Sequence, residues 1–399
     1  MQRSRQPTDV ATQGRRHTVL LALSVVIVAV NLRPAVAGVG PVLPDLRAGL
    51  PLSGTGAAVL TTLPVLCFGV LATVAPRLTR RFGIEPVLIG VMAALAVATL
   101  VRVLDGPPVL FVGTVVAGGA IAIGNVLLPP LIKRDFPDRS GLMMGVYTMA
   151  VSGSAAVAAG IAVPVAEASG LGWRGALGVW AVPAAVAALA WLPRMRGHTR
   201  PPASPPPSRS LLRDPLAWQL TVFFGLQSLS FYAVLGWLPS MYRDFGASPA
   251  VAGFLLSFSG LVQIPVSLVL PSLANRAAHQ VGYVVGGTLL ITAGFTGILL
   301  APMAAPYLWV ALVGAGQGAC FALGLNLFVL RTRHVADTAR VSAMAQSIGY
   351  TICAFGPLLV GVFHELSGSW TLPLILLVAL TLPQLVSGAL AGRDRALRE

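Results

Sequence analysis

Acidic residues and cysteines are scarce in this 399-residue chain, and each scarcity excludes a class of protein. Only 10% of the residues are charged and 13 are Asp or Glu, whereas 56% are hydrophobic. Soluble domains carry about 25% charged residues, so the composition excludes an ordinary soluble domain. The three cysteines, Cys67, Cys320 and Cys353, lie inside apolar runs without paired spacing. We interpret them as small core residues and predict neither a disulfide nor a metal site.

The sequence also lacks the residue clusters that catalysis and nucleotide binding require. Its five histidines lie in loops or near the ends of apolar runs. No Walker loop or glycine-rich nucleotide fingerprint is visible. The sequence therefore predicts that the protein is not an enzyme, needs no cofactor and does not use ATP within this chain.

Long apolar runs are abundant. Twelve of them are long enough to cross a hydrocarbon core of about 30 Å as helices. We predict an all-α membrane protein with twelve transmembrane helices. The predicted spans are 18–42, 55–78, 86–104, 108–132, 141–166, 175–193, 216–240, 249–274, 280–301, 305–330, 339–364 and 370–391.

The basic residues that produce the formal net charge of +14 lie mainly on one side of the predicted spans. With the N-terminus inside, the cytoplasmic segments hold 22 of the 27 Lys and Arg residues, and the outer segments hold four. This bias is the positive-inside rule, and it predicts cytoplasmic termini with basic loops near anionic headgroups. We therefore predict an inner-membrane, multi-pass protein that contacts membrane lipid and does not bind nucleic acid.

A proline-rich segment divides the twelve spans into six and six. Five of residues 201–207 are proline, which excludes a helix there. Similar features recur in the same order on both sides at an offset of about 195 residues, as with Pro44 and Pro239. We predict two pseudo-symmetric six-helix halves. The boundaries are 1–16 for an N-terminal tail, 17–193 and 215–392 for the halves, 194–214 for the linker and 393–399 for a C-terminal tail.

Arg33 is unusual because it lies within the first span, while all acidic residues can be placed in loops or at span ends. A cation near the centre of a span costs at least about 2.5–3.5 kcal/mol on insertion scales. Pro34 follows it and is expected to kink the helix, so that a cavity can reach Arg33. We interpret Arg33 as a ligand for an anion or a polarised group. The alternative is a buried arginine bonded to backbone carbonyls of a neighbouring broken helix.

Other polar residues are weaker candidates for substrate binding. Asn125 and Asn326 occupy similar places in spans four and ten, and amides suit small polar ligands; interhelical hydrogen bonds are the alternative. In span seven we favour Gln227 over Tyr232, because Gln227 lies nearly opposite Arg33 by the offset between the halves. Asn31 faces away from Arg33, so a clasp for the broken turn is its alternative role. The candidates are Arg33, Asn125, Gln227, Asn326, Tyr232, Asn31, Tyr147 and Gln346.

Short motifs in three spans carry a resemblance to a known family. They are Asn31-Leu-Arg-Pro34 with Gly40-Pro-Val-Leu-Pro44, Gly124-Asn125 with Pro129-Pro130, and Gln227-Ser-Leu-Ser-Phe-Tyr232 with Gly236-Trp-Leu-Pro239. With them the chain resembles the major facilitator superfamily, and within it the bacterial cyanate and 2-nitroimidazole transporters, from about residue 17 to 392. The resemblance implies a substrate site between the halves near the midplane, exposed alternately to each side.

The same resemblance implies a gating loop on the cytoplasmic side. The family's loop carries an acidic residue before a basic pair, and Arg80 stands at that place here. The usual charge lock between the halves therefore lacks its acid, although the basic residues remain. The predicted gating residues are Arg77, Arg80, Arg81, Gly83 and Arg276.

These features together predict a monomeric secondary transporter. Its substrate would be a small anionic or strongly polar solute, such as a cyanate-like anion or a nitroimidazole-like compound. One alternative is a multidrug or metabolite exporter of the same fold, which would usually use an intramembrane carboxylate. The other alternative is an integral membrane enzyme.

Overall fold

The computed structural model describes residues 19–50, 52, 54–104, 106–197 and 210–397. Within these residues, twelve helices are long and apolar enough to cross a membrane, and their ends lie within four residues of the predicted spans. The number and order of the predicted spans are therefore confirmed. In chain order they are α1 (Val19–Val42), α2 (Val59–Phe82), α3 (Ile84–Val101), α4 (Pro107–Asp135), α5 (Pro137–Ser169), α6 (Trp173–Arg194), α7 (Pro215–Asp244), α8 (Val251–Ala274), α9 (Val281–Leu300), α10 (Pro306–Leu330), α11 (Val335–Ser367) and α12 (Thr371–Ala391).

Local sequence signals set several helix ends. The Asp214 carboxylate accepts a hydrogen bond from the Leu216 backbone N–H at 2.8 Å, which caps the start of α7. Pro215 follows at the first helical position, where its missing N–H leaves no hydrogen bond unmade. Helices α5 and α11 both stop at a glycine in the left-handed region, Gly170 (φ 66°) and Gly368 (φ 62°).

Helix α1 is broken rather than merely kinked. A turn at residues 30–33 interrupts it, and a one-turn α-helix, Pro34–Ala37, follows. After Gly38 and Val39 the chain continues as a 3-10 turn, Gly40–Val42, and a short α-helix, Leu43–Gly49. The sequence predicted a bend at Pro34, but the structure shows a full interruption. Arg33 therefore stands at the junction of two helical segments.

The loops rich in basic residues meet at one end of the bundle, which we call the basic end. There Arg194 pairs with Asp135 at 2.6 Å and Arg134 pairs with Glu85 at 2.7 Å. In the later spans, the Arg331 guanidinium donates to the Ala391 carbonyl at 2.9 Å. These contacts tie neighbouring helix ends together within α1–α6 and within α7–α12.

The predicted domain boundaries stay a prediction. The N-terminal tail and most of the linker lie outside the described residues, which omit 1–18 and 198–209. What the structure does show is that six spans precede this linker and six follow it.

Candidate functional site

A polar site forms around Arg33, between the first six spans and the last six. The half-buried Arg33 guanidinium donates from Nη1 to the Tyr232 hydroxyl of α7 at 2.7 Å. Its Cζ lies 5.8 Å from the centre of the Phe68 ring of α2. The hydroxyls of Tyr147 and Tyr350 lie within electrostatic reach of the same group. Four helices besides α1 thus contribute aromatic side chains around one cation.

A second layer of polar groups lies deeper in the protein. The buried Tyr147 hydroxyl donates to Asn125 Oδ1 at 3.2 Å. From α11, Gln346 Nε2 donates to the Asn125 backbone carbonyl at 3.2 Å and to Ser342 Oγ at 2.7 Å. This layer also connects the first six spans with the last six.

Buried aromatic rings form an apolar floor beside these polar groups. The Tyr350 ring lies 5.3 Å from Phe68 and 5.5 Å from Phe224, centre to centre. Phe224 continues the cluster to Phe328 at 5.6 Å. All four rings are at most 2% exposed. Aromatic pairs at such distances attract each other, so these four rings form a closely packed apolar cluster beside Arg33.

At the basic end, α5 and α8 approach each other closely through small residues. A Cβ on Gly145 would lie 2.1 Å from the Leu268 carbonyl oxygen, and one on Gly141 would lie 2.6 Å from the Asn275 amide. The Thr148 hydroxyl donates to the Ser267 carbonyl at 3.2 Å. Only glycine permits such an approach of the two backbones.

Lys133 adds a second connection at the basic end. Its ammonium group, at the end of α4, donates to the Val329 carbonyl at 2.7 Å and to the Thr332 hydroxyl at 3.0 Å. It also donates to the Thr332 carbonyl. These acceptors lie at the C-terminus of α10, where a cation interacts favourably with the unpaired carbonyls. Lys133 thus ties a helix of the first six spans to one of the last six.

The opposite end of the bundle is loosely packed. Cβ atoms on Gly153 and Gly160 of α5, or on Gly253 and Gly260 of α8, would have no neighbouring atom within 4 Å. Exposed apolar side chains such as Leu261 continue along these halves of the helices. Helices α5 and α8 therefore approach each other closely at the basic end and not at these positions towards the other end, which we call the open end.

Three of the predicted substrate ligands lie elsewhere. Gln227, which the sequence favoured, is 1% exposed and donates to Ser228 Oγ at 2.7 Å, whereas Tyr232 contacts Arg33. Tyr232 and not Gln227 is thus the α7 residue beside Arg33, because a sequence offset does not fix which face of α7 meets α1; which of the two binds the solute stays a prediction. Asn326 does not mirror Asn125: its amide hydrogen-bonds that of Asn275 at 2.7 Å.

Asn31 takes the position of a clasp. Its amide donates to the Ile27 carbonyl at 2.7 Å and to the Pro183 carbonyl of α6 at 3.2 Å. It is buried, and it stabilises the end of the first segment of α1. Of the eight predicted ligands, the structure brings together Arg33, Tyr232, Tyr147, Asn125 and Gln346.

The predicted gating residues make different contacts from those the family pattern implies. Arg77 donates to the Thr73 carbonyl within its own helix at 3.3 Å, and Arg81 lies over the adjacent Phe82 ring. Gly83 has a φ of 86° and separates α2 from α3. Among the described residues, no side-chain hydrogen bond joins Arg77, Arg80, Arg81 or Arg276 to the other set of six spans.

Sequence reasoning missed Phe68, Lys133 and Arg102. Phe68 looked like an ordinary apolar residue of a span, since an aromatic in a helix is most often core. Lys133 was counted only as a topology signal. Arg102 was placed in an outer loop, although its side chain is 1% exposed. A basic residue at the very end of a long span is the signal that could have found the last two.

An all-helical bundle of twelve spans, with a polar site between two sets of six helices, defines a multi-pass membrane transporter. Residues 20–357 match the model of the Major Facilitator Superfamily, and the chain belongs to that family. The predicted family and the prediction that the protein is a transporter and not an enzyme are thereby confirmed.

Comparison with individual proteins shows which members of the superfamily this chain is similar to. The chain is 36% identical to the 2-nitroimidazole transporter of Escherichia coli (strain K12), over 96% of this chain and 98% of the relative. It is 31% identical to the cyanate transport protein CynX of the same strain, over 88% and 91%. The solved structure of the proton:xylose symporter XylE superimposes with a TM-score of 0.76 at 12% identity, over 96% of this chain and 98% of that one. At that identity the likeness supports the fold alone.

Proposed function

We propose that this chain is a secondary transporter that binds a small anionic or strongly polar solute at Arg33 and moves it by alternating access. The observation that carries the proposal is a cation at a helix break, half-buried between the two sets of spans, with a neutral tyrosine as its hydrogen-bond partner. Among the described residues, every Asp and Glu lies in a loop or near the end of a span. The solute itself would supply the missing negative charge.

The chemistry of the site favours a flat, electron-rich group. A guanidinium presents several N–H donors in one plane and binds carboxylate-like or nitro-like oxygens with two of them. The aromatic rings of Phe68 and Tyr350 border the same space and suit a planar solute. 2-Nitroimidazole is planar and carries such oxygens, and cyanate, a small linear anion, offers the guanidinium a negative charge; these compounds name two relatives, and they are the probes we choose.

Tyr232 connects binding to the movement of the two sets of spans. In the present structure its hydroxyl accepts a hydrogen bond from Arg33 across the interface. A tyrosine hydroxyl can also donate, so with a solute present it would donate to the same oxygen that Arg33 holds. The solute then bridges α1 and α7. A bound solute would therefore stabilise the conformation in which the two sets of spans come together at the open end.

The basic bias supports a bacterial inner-membrane location with both termini in the cytoplasm. On that orientation the basic end faces the cytoplasm, and the open end faces outward. We propose a monomer in contact with lipid, because the site is formed by the helices of one chain.

Transport by purified protein tests the proposal. Proteoliposomes should accumulate or release labelled 2-nitroimidazole or cyanate, and Arg33→Ala protein of unchanged melting temperature should not. If wild-type protein neither binds nor moves either probe while other small anions and nitro compounds are also ignored, the proposed substrate class is wrong. A cationic drug that is transported independently of Arg33 would instead support the exporter alternative.

A further inference from the structure

We propose that Arg102, at the end of α3, is a positioning residue that holds the broken segment of α1 so that Arg33 faces the solute. This inference rests on the proposed function of Arg33. Its basis is a single contact: the Arg102 guanidinium donates from Nη1 to the Ala35 carbonyl at 2.5 Å. Ala35 lies two residues after Arg33, within the one-turn helix Pro34–Ala37.

The Ala35 carbonyl needs an outside partner because the helix does not continue. In an unbroken α-helix the N–H of Val39 would bond to it, four residues on. Here the Val39 N–H bonds to the Val36 carbonyl at 3.2 Å instead. Arg102 takes the place of the missing backbone donor, and the segment next to Arg33 is thereby fixed to α3.

Apart from this hydrogen bond, the Arg102 side chain lies in a buried and closely packed environment. The side chain is 1% exposed, and its Nε and Nη2 atoms have no hydrogen-bond partner among the residues that the structure describes. Gly113 of α4 provides the space that the Arg102 side chain occupies, because a Cβ at position 113 would lie 2.5 Å from Arg102 Cβ. Burial lowers the pKa of Arg102 to about 10, so it stays charged at neutral pH.

A buried cation with two unpartnered nitrogens is an inefficient way to stabilise a fold, since an apolar side chain of similar length would avoid the desolvation. If Arg102 nevertheless served stability alone, removing the charge would lower the melting temperature and leave the affinity near that of the wild type. A positioning role predicts that the melting temperature changes little while the affinity for the solute falls.

Calorimetry on Arg102→Met protein separates these outcomes. With whichever of 2-nitroimidazole and cyanate the wild type binds, we expect affinity to fall about tenfold, as on losing an outer-shell partner of a binding site. Arg102→Lys keeps a charged donor and should recover part of the loss. The matched control is Arg174→Met. Arg174 also donates to a backbone carbonyl, that of Val103 at 3.2 Å, which lies after α3 and not in α1.

A double-mutant cycle tests whether Arg102 acts through Arg33. In an Arg33→Lys background, Arg102→Met should weaken binding by no more than about threefold, because residues that act as one unit are not additive. Wild-type affinity in Arg102→Met protein overturns the inference, as does a full tenfold loss in both backgrounds. If Arg102→Met does not fold, Arg102→Lys takes its place in the cycle: a partial loss of affinity that shrinks in the Arg33→Lys background supports the inference, and no loss or an equal loss in both backgrounds overturns it. Failure of wild-type protein to bind, or of Arg33→Ala to lose binding, would count against the proposed function instead.

Discussion

The two ends of the bundle are built from the same helices but in different ways. At the basic end, α5 and α8 touch through glycine, and Lys133 binds the C-terminus of α10. At the opposite end, a Cβ on Gly153, Gly160, Gly253 or Gly260 of the same two helices would meet no atom of another helix within 4 Å. Arg33 is half-buried between them. The difference teaches that the contact between α5 and α8 is made by close backbone packing at the basic end only, as one-sided access to the site would require.

The closed end also differs from the family pattern that the sequence suggested. The family pattern implies an ion pair with an acidic loop residue. In this structure Lys133 binds carbonyls at the C-terminus of α10, and small residues of α5 pack against α8. Both devices depend on a fixed distance between backbones, so each should be sensitive to very small substitutions.

Of the changes at the basic end, Gly145→Ala is expected to have the largest effect. The new Cβ would lie 2.1 Å from the Leu268 carbonyl oxygen, so the two helices must separate. Overpacking of this kind costs about 1–3 kcal/mol, which shifts a conformational equilibrium about 5- to 150-fold. We expect transport to fall at least tenfold. A cysteine at Ser342, which is buried below the site, should become reactive to a soluble thiol reagent.

Gly153→Ala is the matched control for that change. It adds the same methyl group to the same helix, at a position with no neighbour within 4 Å. Transport and the labelling of Ser342→Cys should stay as in the parent protein. Equal effects of the two substitutions would contradict the contrast between the ends.

Lys133→Met should produce a smaller change in the same direction. It removes the hydrogen bonds to Val329 and Thr332 but keeps the length of the side chain. Hydrogen bonds of charged groups contribute about 1.5–3 kcal/mol, part of which methionine packing offsets. We expect the labelling rate of Ser342→Cys to rise about fivefold, corresponding to about 1 kcal/mol.

Arg134→Met is the control for Lys133, because Arg134 is the adjacent residue and its ion pairs with Glu85 and Asp135 stay within the first six spans. Labelling should remain at the parent rate. If Arg134→Met opens the basic end as much as Lys133→Met does, the lysine contact is not the closing device.

Much of the fold could be predicted from sequence because it depends on length and composition. The apolar runs gave all twelve spans, and Pro34 marked the interruption of α1. What could not be predicted is the rotation of each helix about its axis. Gln227 and Tyr232 both lie on α7, and only packing decides that Tyr232 meets Arg33.

Two other residues that the sequence did not reveal bind backbone atoms rather than side chains. Lys133 and Arg102 bind carbonyls, of Val329 and Ala35 among others, and no pattern of side chains marks such an acceptor. An unpaired carbonyl appears only where a helix ends or breaks in three dimensions. The sequence could therefore locate the break but not the arginine that holds it.

The smallest of these effects tests the choice between two residues of α7. Tyr232→Phe removes the hydroxyl and keeps the ring, and affinity for the solute should fall about threefold if the hydroxyl is a ligand. Gln227→Met should leave affinity within about twofold, because Gln227 is buried against Ser228. Calorimetry with the same probe compares them, and the reverse order of effects would restore the sequence-based preference.

The central claim, that the solute binds at Arg33, is tested most directly by calorimetry on monodisperse Arg33→Ala protein. Truncating one partner of a buried charged pair costs about 2–5 kcal/mol, so affinity should fall about 30-fold or more. Arg33→Lys should recover binding only in part, because it lacks the planar fork. Arg243→Ala, which removes the same charge at an exposed position, should bind normally. Unchanged affinity in Arg33→Ala protein of normal melting temperature would contradict the account.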